Sequence, residues 1–260
     1  SSHAKTLKRG EDSSGWTLPD IVGLCEVEND SVLFDLTRRS LLRKACYEYV
    51  MTASNDARGI DVALLYSPFS FRLIKADTIR VIPMKEMRPT RDILHVEGEI
   101  ESGDTLHVFL LHAPSRMGGE VYSRPFRMHV MERLCSAIDS LRSKYTNPKL
   151  LVMGDFNDYA DSPSLQRAYE HGLINISAGV HGRNGAKGTY RYHGEWGSLD
   201  QILISVNLRS WVIDCRINDA RFLLEDDTKY GGVKPRRNYN GMRFNNGFSD
   251  HLPLVLRLQY

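Results

Sequence analysis

At 260 residues, 42% hydrophobic and 25% charged, the chain has the composition of a folded protein able to bury a sizeable core, which excludes disorder. Its 34 basic and 32 acidic residues leave a net charge of only +2, so no global field selects a polyanion, and such binding must rest on local patches. The four cysteines, Cys25, Cys46, Cys135 and Cys215, lack CxxC spacing, and no apolar run reaches the roughly 20 residues of a membrane span, so neither a zinc site, a redox motif nor a membrane-spanning helix is suggested.

In chain order, strand-like apolar runs fall at Ile21–Leu24, Val62–Tyr66, Phe71–Ile74, Ile93–Ile100, Leu106–Leu111, Leu150–Met153, Gln201–Ser205 and Leu252–Leu258. Helical periodicity occupies Ser31–Tyr47 and Ser123–Lys144, the latter with Val130, Leu134, Ile138 and Leu141 on one face. A short helix is expected over Leu165–His171 behind Ser162–Pro163–Ser164. Glu101–Ser102–Gly103–Asp104 forms a tight turn between two strands. Cys25 and Cys135 sit in apolar patterns and are expected to be buried thiols. Hairpins mixed with long helices predict an α+β or α/β protein with two helix-covered sheets. No linker or compositional break divides the chain, so one domain over residues 1–260 is expected. Residues 226–248, rich in Gly, Asn and Arg, read as one long loop, of a kind that is either a functional lid or a disordered segment.

Chemistry gathers where the strands end. The run MGDFND follows Leu150–Leu151–Val152 and delivers Asp155 and Asn157 to one mouth, a carboxylate that can accept a proton and an amide facing the same way. Glu26 ends the first strand, and His112 ends Leu106–Leu111. Asp200 opens Gln201–Ser205, and Ser249–Asp250–His251 leads into the last strand. Adjacent strand residues face opposite ways, so Ser249, Asp250 and His251 do not form a triad; Asp200 is the candidate partner for the His251 imidazole. A calcium loop at Asp155 is excluded, because the glycine at loop position six and the glutamate at position twelve are missing. Carboxylates, an amide and imidazoles without cysteine suit a hard divalent cation acting on phosphate.

In this order, DIVGLCEVEN (20–29), RGIDVALLY (58–66), LHAPSR (111–116), MGDFND (153–158), SLDQI (198–202) and SDHLPL (249–254) resemble the motifs of the endonuclease/exonuclease/phosphatase superfamily. The resemblance implies a four-layer α/β/β/α sandwich of two mainly antiparallel sheets flanked by helices, and Mg²⁺- or Mn²⁺-dependent hydrolysis of a phosphoester. By the same resemblance Glu26 would bind the metal, with Asp250 near it. Asp155 would orient or deprotonate the attacking water, Asn157 would hold water and phosphate, His251, polarised by Asp200, would contact the phosphate, and His112 would hydrogen-bond the phosphate or assist the leaving group. Two departures stand out. The family opens with a strand bearing an Asn near the metal, which is not found before Glu26; residues 1–19 read as the helix and loop after that strand, so an N-terminally truncated domain is expected. SLDQI also differs from the pattern of the repair nucleases, which speaks against DNA repair.

Candidate substrate contacts are Arg58, Arg116, Arg236, Arg237 and Tyr190. Basic residues interleaved with aromatics in 226–248 can grip phosphate and stack bases, and GTYRYHGEW (188–196) is a candidate pocket wall. The leading expectation is a phosphodiesterase or nuclease. A phosphatase of an inositol phosphate or phospholipid head group comes second, and a catalytically silent binding module third. A monomer with a phosphoester substrate, which includes nucleic acid, is expected, with no obligatory protein partner. The chain begins at Ser1 without a signal peptide, so the compartment, cytoplasmic or exported, stays open.

Overall fold

In a computed structural model, the protein is described over residues 16–260, with the backbone alone at 4–5 and 16–17 and side chains from residue 18 onward. The helix and loop expected over 1–19 fall almost wholly outside the described residues.

One sheet contains β1 (Ile21–Val27), β2 (Glu48–Met51) and β3 (Asp61–Tyr66), in the order β1-β3-β2 and antiparallel throughout. A second holds β4 (Phe71–Ile79), β5 (Ile93–Ile100), β6 (Thr105–His112), β7 (Lys149–Asp155), β8 (Leu173–Asn175) and β9 (Asp200–Ser205), in the order β8-β9-β7-β6-β5-β4. Only β6 and β7 run parallel. Their crossover is the helix α1 (Glu120–Arg142), as a parallel pair requires. A further antiparallel pair joins β10 (Val212–Ile217) to β11 (Leu254–Leu258).

Side-chain alternation builds the layers. On β6, Phe109 and Leu111 face α1, packing with Val130, Leu134 and Ile138, while Leu106, Val108 and Leu110 face Val62 and Leu64 of β3. Leu150 and Val152 of β7 likewise join the helix side, and Leu151 the inter-sheet side. On the far face of β3, Ala63 and Leu65 pack with Leu33 and Tyr47. The resulting helix, sheet, sheet, helical-segment sequence is the expected four-layer sandwich.

Among the described residues the second sheet layer is interrupted. β1 and β11 both line one cavity of about 1770 Å³, floored by apolar side chains of the six-stranded sheet such as Leu106, Leu110 and Leu151. Within the named sheets β1 pairs only with β3, and β11 only with β10, so each has an unpaired edge among the described residues.

Several elements depart from expectation. The helix expected over 31–47 is three short pieces, α-helical at Asp30–Phe34, π-helical at Asp35–Arg39 and 3₁₀ at Leu41–Ala45. Thr37 and Ser40 hydroxyls donate back to the Leu33 and Leu36 carbonyls, and Ser40 then caps Leu42, which breaks the ladder. The last strand starts at Leu254 rather than 252, because His251 makes an isolated bridge with Tyr190. Residues 226–248 are not one loop, since Leu224–Asp226 pairs with Val233–Pro235 and Tyr239–Asn240 with Arg243–Phe244. Cys135 is buried as expected, whereas Cys25 is only half-buried. No helix among the described residues is long and apolar enough to cross a membrane.

Candidate active site

Strand register places the site. His112 of β6 is the Cα partner of Asp155 of β7, which is in turn the partner of Asp200 of β9. Each extends an inward-facing row of its strand: His112 follows Leu110, Asp155 follows Leu151 and Met153, and Asp200 precedes Ile202 and Ile204. Three polar side chains therefore stand abreast where the inter-sheet core ends. His251 joins them through its bridge to Tyr190.

The approach of the strands is close. A Cβ at Gly154 would lie 1.9 Å from the Leu111 carbonyl oxygen, and its φ is +143°, so only glycine fits immediately before Asp155. Beyond it the chain turns sharply. Asn157 sits at φ +49°, a left-handed conformation Asn tolerates, and its backbone N–H donates to Asp155 Oδ1 at 2.8 Å. Its side-chain amide donates to the Ala113 carbonyl at 3.0 Å and to Asp155 Oδ2 at 3.3 Å, which orients both groups.

His251 Nδ1 and Asp200 Oδ2 are 2.7 Å apart, the pairing expected from the sequence. Burial by itself would lower the His251 pKa, but the charge and hydrogen bond of Asp200, with Asp155 and Asp250 adding, raise it to about 9. Asp155 moves the other way from an ordinary carboxyl. Burial first, then the Asp200 carboxylate, push it up to about 7 against the opposing pull of His251. His112 Nε2 lies 3.4 Å from Asp155 Oδ2, and its Nδ1 is buried with no hydrogen-bond partner among the described residues. Burial, followed by the nearby Arg91, Arg58 and His251 charges, lowers the His112 pKa to about 2, so the ring is neutral.

Glu26 lies in a bulge of β1 at φ +60°, where its carboxylate meets Arg58 Nη1 at 2.8 Å. Arg116 lies 3.3 Å from Asp158 Oδ1 and stacks over Tyr159 at 4.8 Å. Glu26, Arg58, Arg116, Tyr190 and Asp250 all line the cavity that contains His112, Asp155, Asn157, Asp200 and His251. Arg236 and Arg237 do not line it; they stack over Phe248 and Tyr190 respectively.

Sequence inspection missed the supporting residues. Buried Arg91 donates to the carbonyls of His112 and Ala113 and pairs with Asp56, fixing the end of β6. Arg127 of α1 is buried with its Nε 3.0 Å from the equally buried Asp158, which also accepts from Ser164. The signal for Arg127 was a single cation on the apolar face of α1; nothing local marked Arg91.

A hard divalent cation fits these residues. Asp155, Asp200 and His251 each have one potential ligand atom within 4.8 Å of the others, but His251 Nδ1 is taken by Asp200, which leaves carboxylates as the cation's ligands. Burial and the neighbouring Asp200 carboxylate both raise the Asp155 pKa, and a cation bound beside them would oppose that rise. Carboxylate donors without sulfur are those of a hard cation.

A family model described as Endonuclease/Exonuclease/phosphatase family matches residues 4–260. The chain belongs to this family. Among solved structures, the catalytic domain of human Nocturnin with bound sulfate is 20% identical at TM-score 0.61, covering 93% of this chain and 81% of that one. A mannosyl-6-phosphatase from Bacteroides thetaiotaomicron is 17% identical at TM-score 0.64, with coverages of 93% and 85%. Truncated TDP2 from Caenorhabditis elegans is 18% identical at TM-score 0.58, with coverages of 92% and 84%. At these identities the endonuclease/exonuclease/phosphatase structures share the fold alone with this chain. No curated protein sequence matches it.

Proposed function

We propose that this family member is a single-domain, divalent-metal-dependent phosphoester hydrolase of the phosphodiesterase or nuclease kind. The observation that carries this is the row His112, Asp155, Asp200 across three strand ends, closed by the 2.7 Å contact between Asp200 and His251. In-line hydrolysis needs a base for water, an orienting group and donors for the phosphoryl oxygens. Asp155, with a carboxyl near neutrality, accepts the proton of the attacking water. Asn157, held by the Ala113 carbonyl, orients that water and the phosphate. Cationic His251 donates to a phosphoryl oxygen while Asp200 fixes its Nδ1 proton. Neutral His112 supplies a further hydrogen bond beside Asp155. Glu26 and Asp250 would hold the cation next to this cluster, and bound there it would supply neutralisation of developing negative charge.

Hydrolysis of bis-nitrophenyl phosphate with Mg²⁺ tests the proposal, and Asp155→Ala is expected to lower kcat by about 10²–10⁴-fold. Persistence of full activity in that variant rules out the mechanism. A second reading, a phosphatase of a small phosphorylated molecule, is favoured by Arg58 and Arg116, which line the same cavity and would have to exchange their Glu26 and Asp158 partners for a doubly charged phosphomonoester. Comparison of kcat/KM for matched mono- and diesters decides between them.

A further inference from the structure

Leading away from the active site is a row of aromatic rings that the chemistry above does not use. Tyr190 sits 4.9 Å from the His251 ring, centroid to centroid. Tyr192, two residues on and therefore on the same face of the hairpin strand Tyr190–Tyr192, lies 6.4 Å further with its ring within 12° of parallel. His193 stacks beneath Tyr192 at 4.0 Å, and Tyr230 follows at 6.3 Å from His193. Soluble proteins bury aromatic rings where they can, yet Tyr192 is 59% exposed and Tyr230 44%.

Cations accompany the rings. Arg237 lies over Tyr190 at 5.6 Å, and Lys229 over Tyr230 at 4.8 Å. Two neighbouring carboxylates are engaged, Asp227 with Arg191 and the backbone of Lys229 and Tyr230, and Glu225 with Lys234, while Glu195, across the hairpin from Tyr192, is exposed and in no ion pair among the described residues. Arg237 has no carboxylate partner among the described residues; its Nη2 donates to the Arg191 carbonyl at 3.3 Å. A line of ring faces flanked by Arg237 and Lys229, neither in an ion pair among the described residues, suits a chain of alternating planar groups and phosphates.

We infer that the row Tyr190, Tyr192–His193, Tyr230 is a binding track for single-stranded nucleic acid, one base per platform, with Arg237 and Lys229 on the phosphates. This deepens the phosphodiester assignment and rests on it, since it places the scissile phosphate at His251 and the nucleotides on one side of it along the hairpin. Duplex nucleic acid is excluded as the ligand, because paired bases do not offer their faces to side chains.

The test is fluorescence anisotropy of labelled single-stranded oligodeoxynucleotides of increasing length, in chelator so that no cleavage occurs, beside a matched duplex. Affinity for single strands is expected to rise with each nucleotide up to roughly three, one per platform, and to exceed that for duplex. Tyr192→Ala and Tyr230→Ala should each weaken binding about 5- to 150-fold with an unchanged thermal midpoint, both side chains being largely exposed. Arg237→Gln with Lys229→Gln should reduce the slope of log affinity against log salt by about 1.4. Equal binding by the tyrosine variants, or tighter binding of duplex, overturns the track. Hydrolysis of bis-nitrophenyl phosphate with Mg²⁺ by the unaltered protein separates the two ideas. Turnover of that ester without oligonucleotide binding overturns the track and keeps the hydrolase, whereas tyrosine-dependent binding without any turnover supports the track and removes the hydrolase.

Discussion

Asp155 carries the account at the scale of single residues, and its neighbours explain why it is reactive. Its carboxyl is raised by burial and by Asp200, while His251 on the other side is raised by Asp200 to hold its proton. Asp200→Asn removes the charge that keeps His251 cationic and is expected to lower kcat about 10²–10⁴-fold with little change in the melting midpoint. Steady-state kinetics beside thermal denaturation checks this, and wild-type activity in the variant would remove His251 from the mechanism. Gly154→Ala belongs to the same scale but acts on folding. A Cβ 1.9 Å from the Leu111 carbonyl must push β6 and β7 apart, so that variant should lose several kcal/mol or fail to fold, as read by chemical denaturation. Asp155, Asn157, His112, Asp200 and His251 were legible in the sequence because each ends or begins an apolar run. Arg91 was not, since its role arises from carbonyls some twenty residues away on β6 that only sheet register brings to it.

Between elements, the ion pair of Arg127 and Asp158 fastens α1 to the turn that holds Asn157. Both side chains are buried, and Asp158 also meets Arg116 at the cleft. Asp158→Ala leaves the buried Arg127 guanidinium with only the partly exposed Glu120 carboxylate, 3.2 Å away, and is expected to cost about 3 kcal/mol in urea unfolding. Replacing both partners with apolar residues of similar volume should recover most of that loss; no recovery would show that the pair does more than neutralise charge. The strands and the long helix were readable from periodicity because their apolar residues alternate or recur at three and four. The segment 30–45 was not, for its apolar spacing is helical while Thr37 and Ser40 redirect the backbone through hydroxyl bonds that hydrophobic pattern does not register. The short pairings within 226–248 were hidden for a different reason. Their two- and three-residue strands are too short for any alternation to show.

For the whole molecule, two properties follow from the fold. Among the described residues an apolar cavity lies between unpaired edges of β1 and β11, so the protein is expected to bind 1-anilinonaphthalene-8-sulfonate and to aggregate with rising concentration. Absence of dye fluorescence would contradict an open cavity. Acid sensitivity is the second. His95 is buried against Phe109 and His107, and burial first, then the His107 charge, lowers its pKa to about 4 from an ordinary 6.5. The folded state therefore favours the neutral ring, and the stability this gives is full above pH 6.5 and lost as pH falls from 6.5 toward 4. His112, lowered to about 2, extends the loss further into acid. Melting midpoints of metal-free protein should fall across that window, and His95→Phe should flatten the fall; an unchanged profile would place the acid sensitivity elsewhere. The family and its sandwich were legible because six motifs keep their order along the chain. The breadth of the open cavity was not, since it depends on which edges face one another.

Metal-dependent turnover of bis-nitrophenyl phosphate by the unaltered protein and by Asp155→Ala tests the central claim most directly. Turnover with Mg²⁺ that chelator abolishes reversibly, and that the variant lacks while keeping its fold, is the expected result. Equal turnover by both proteins in chelator would contradict it.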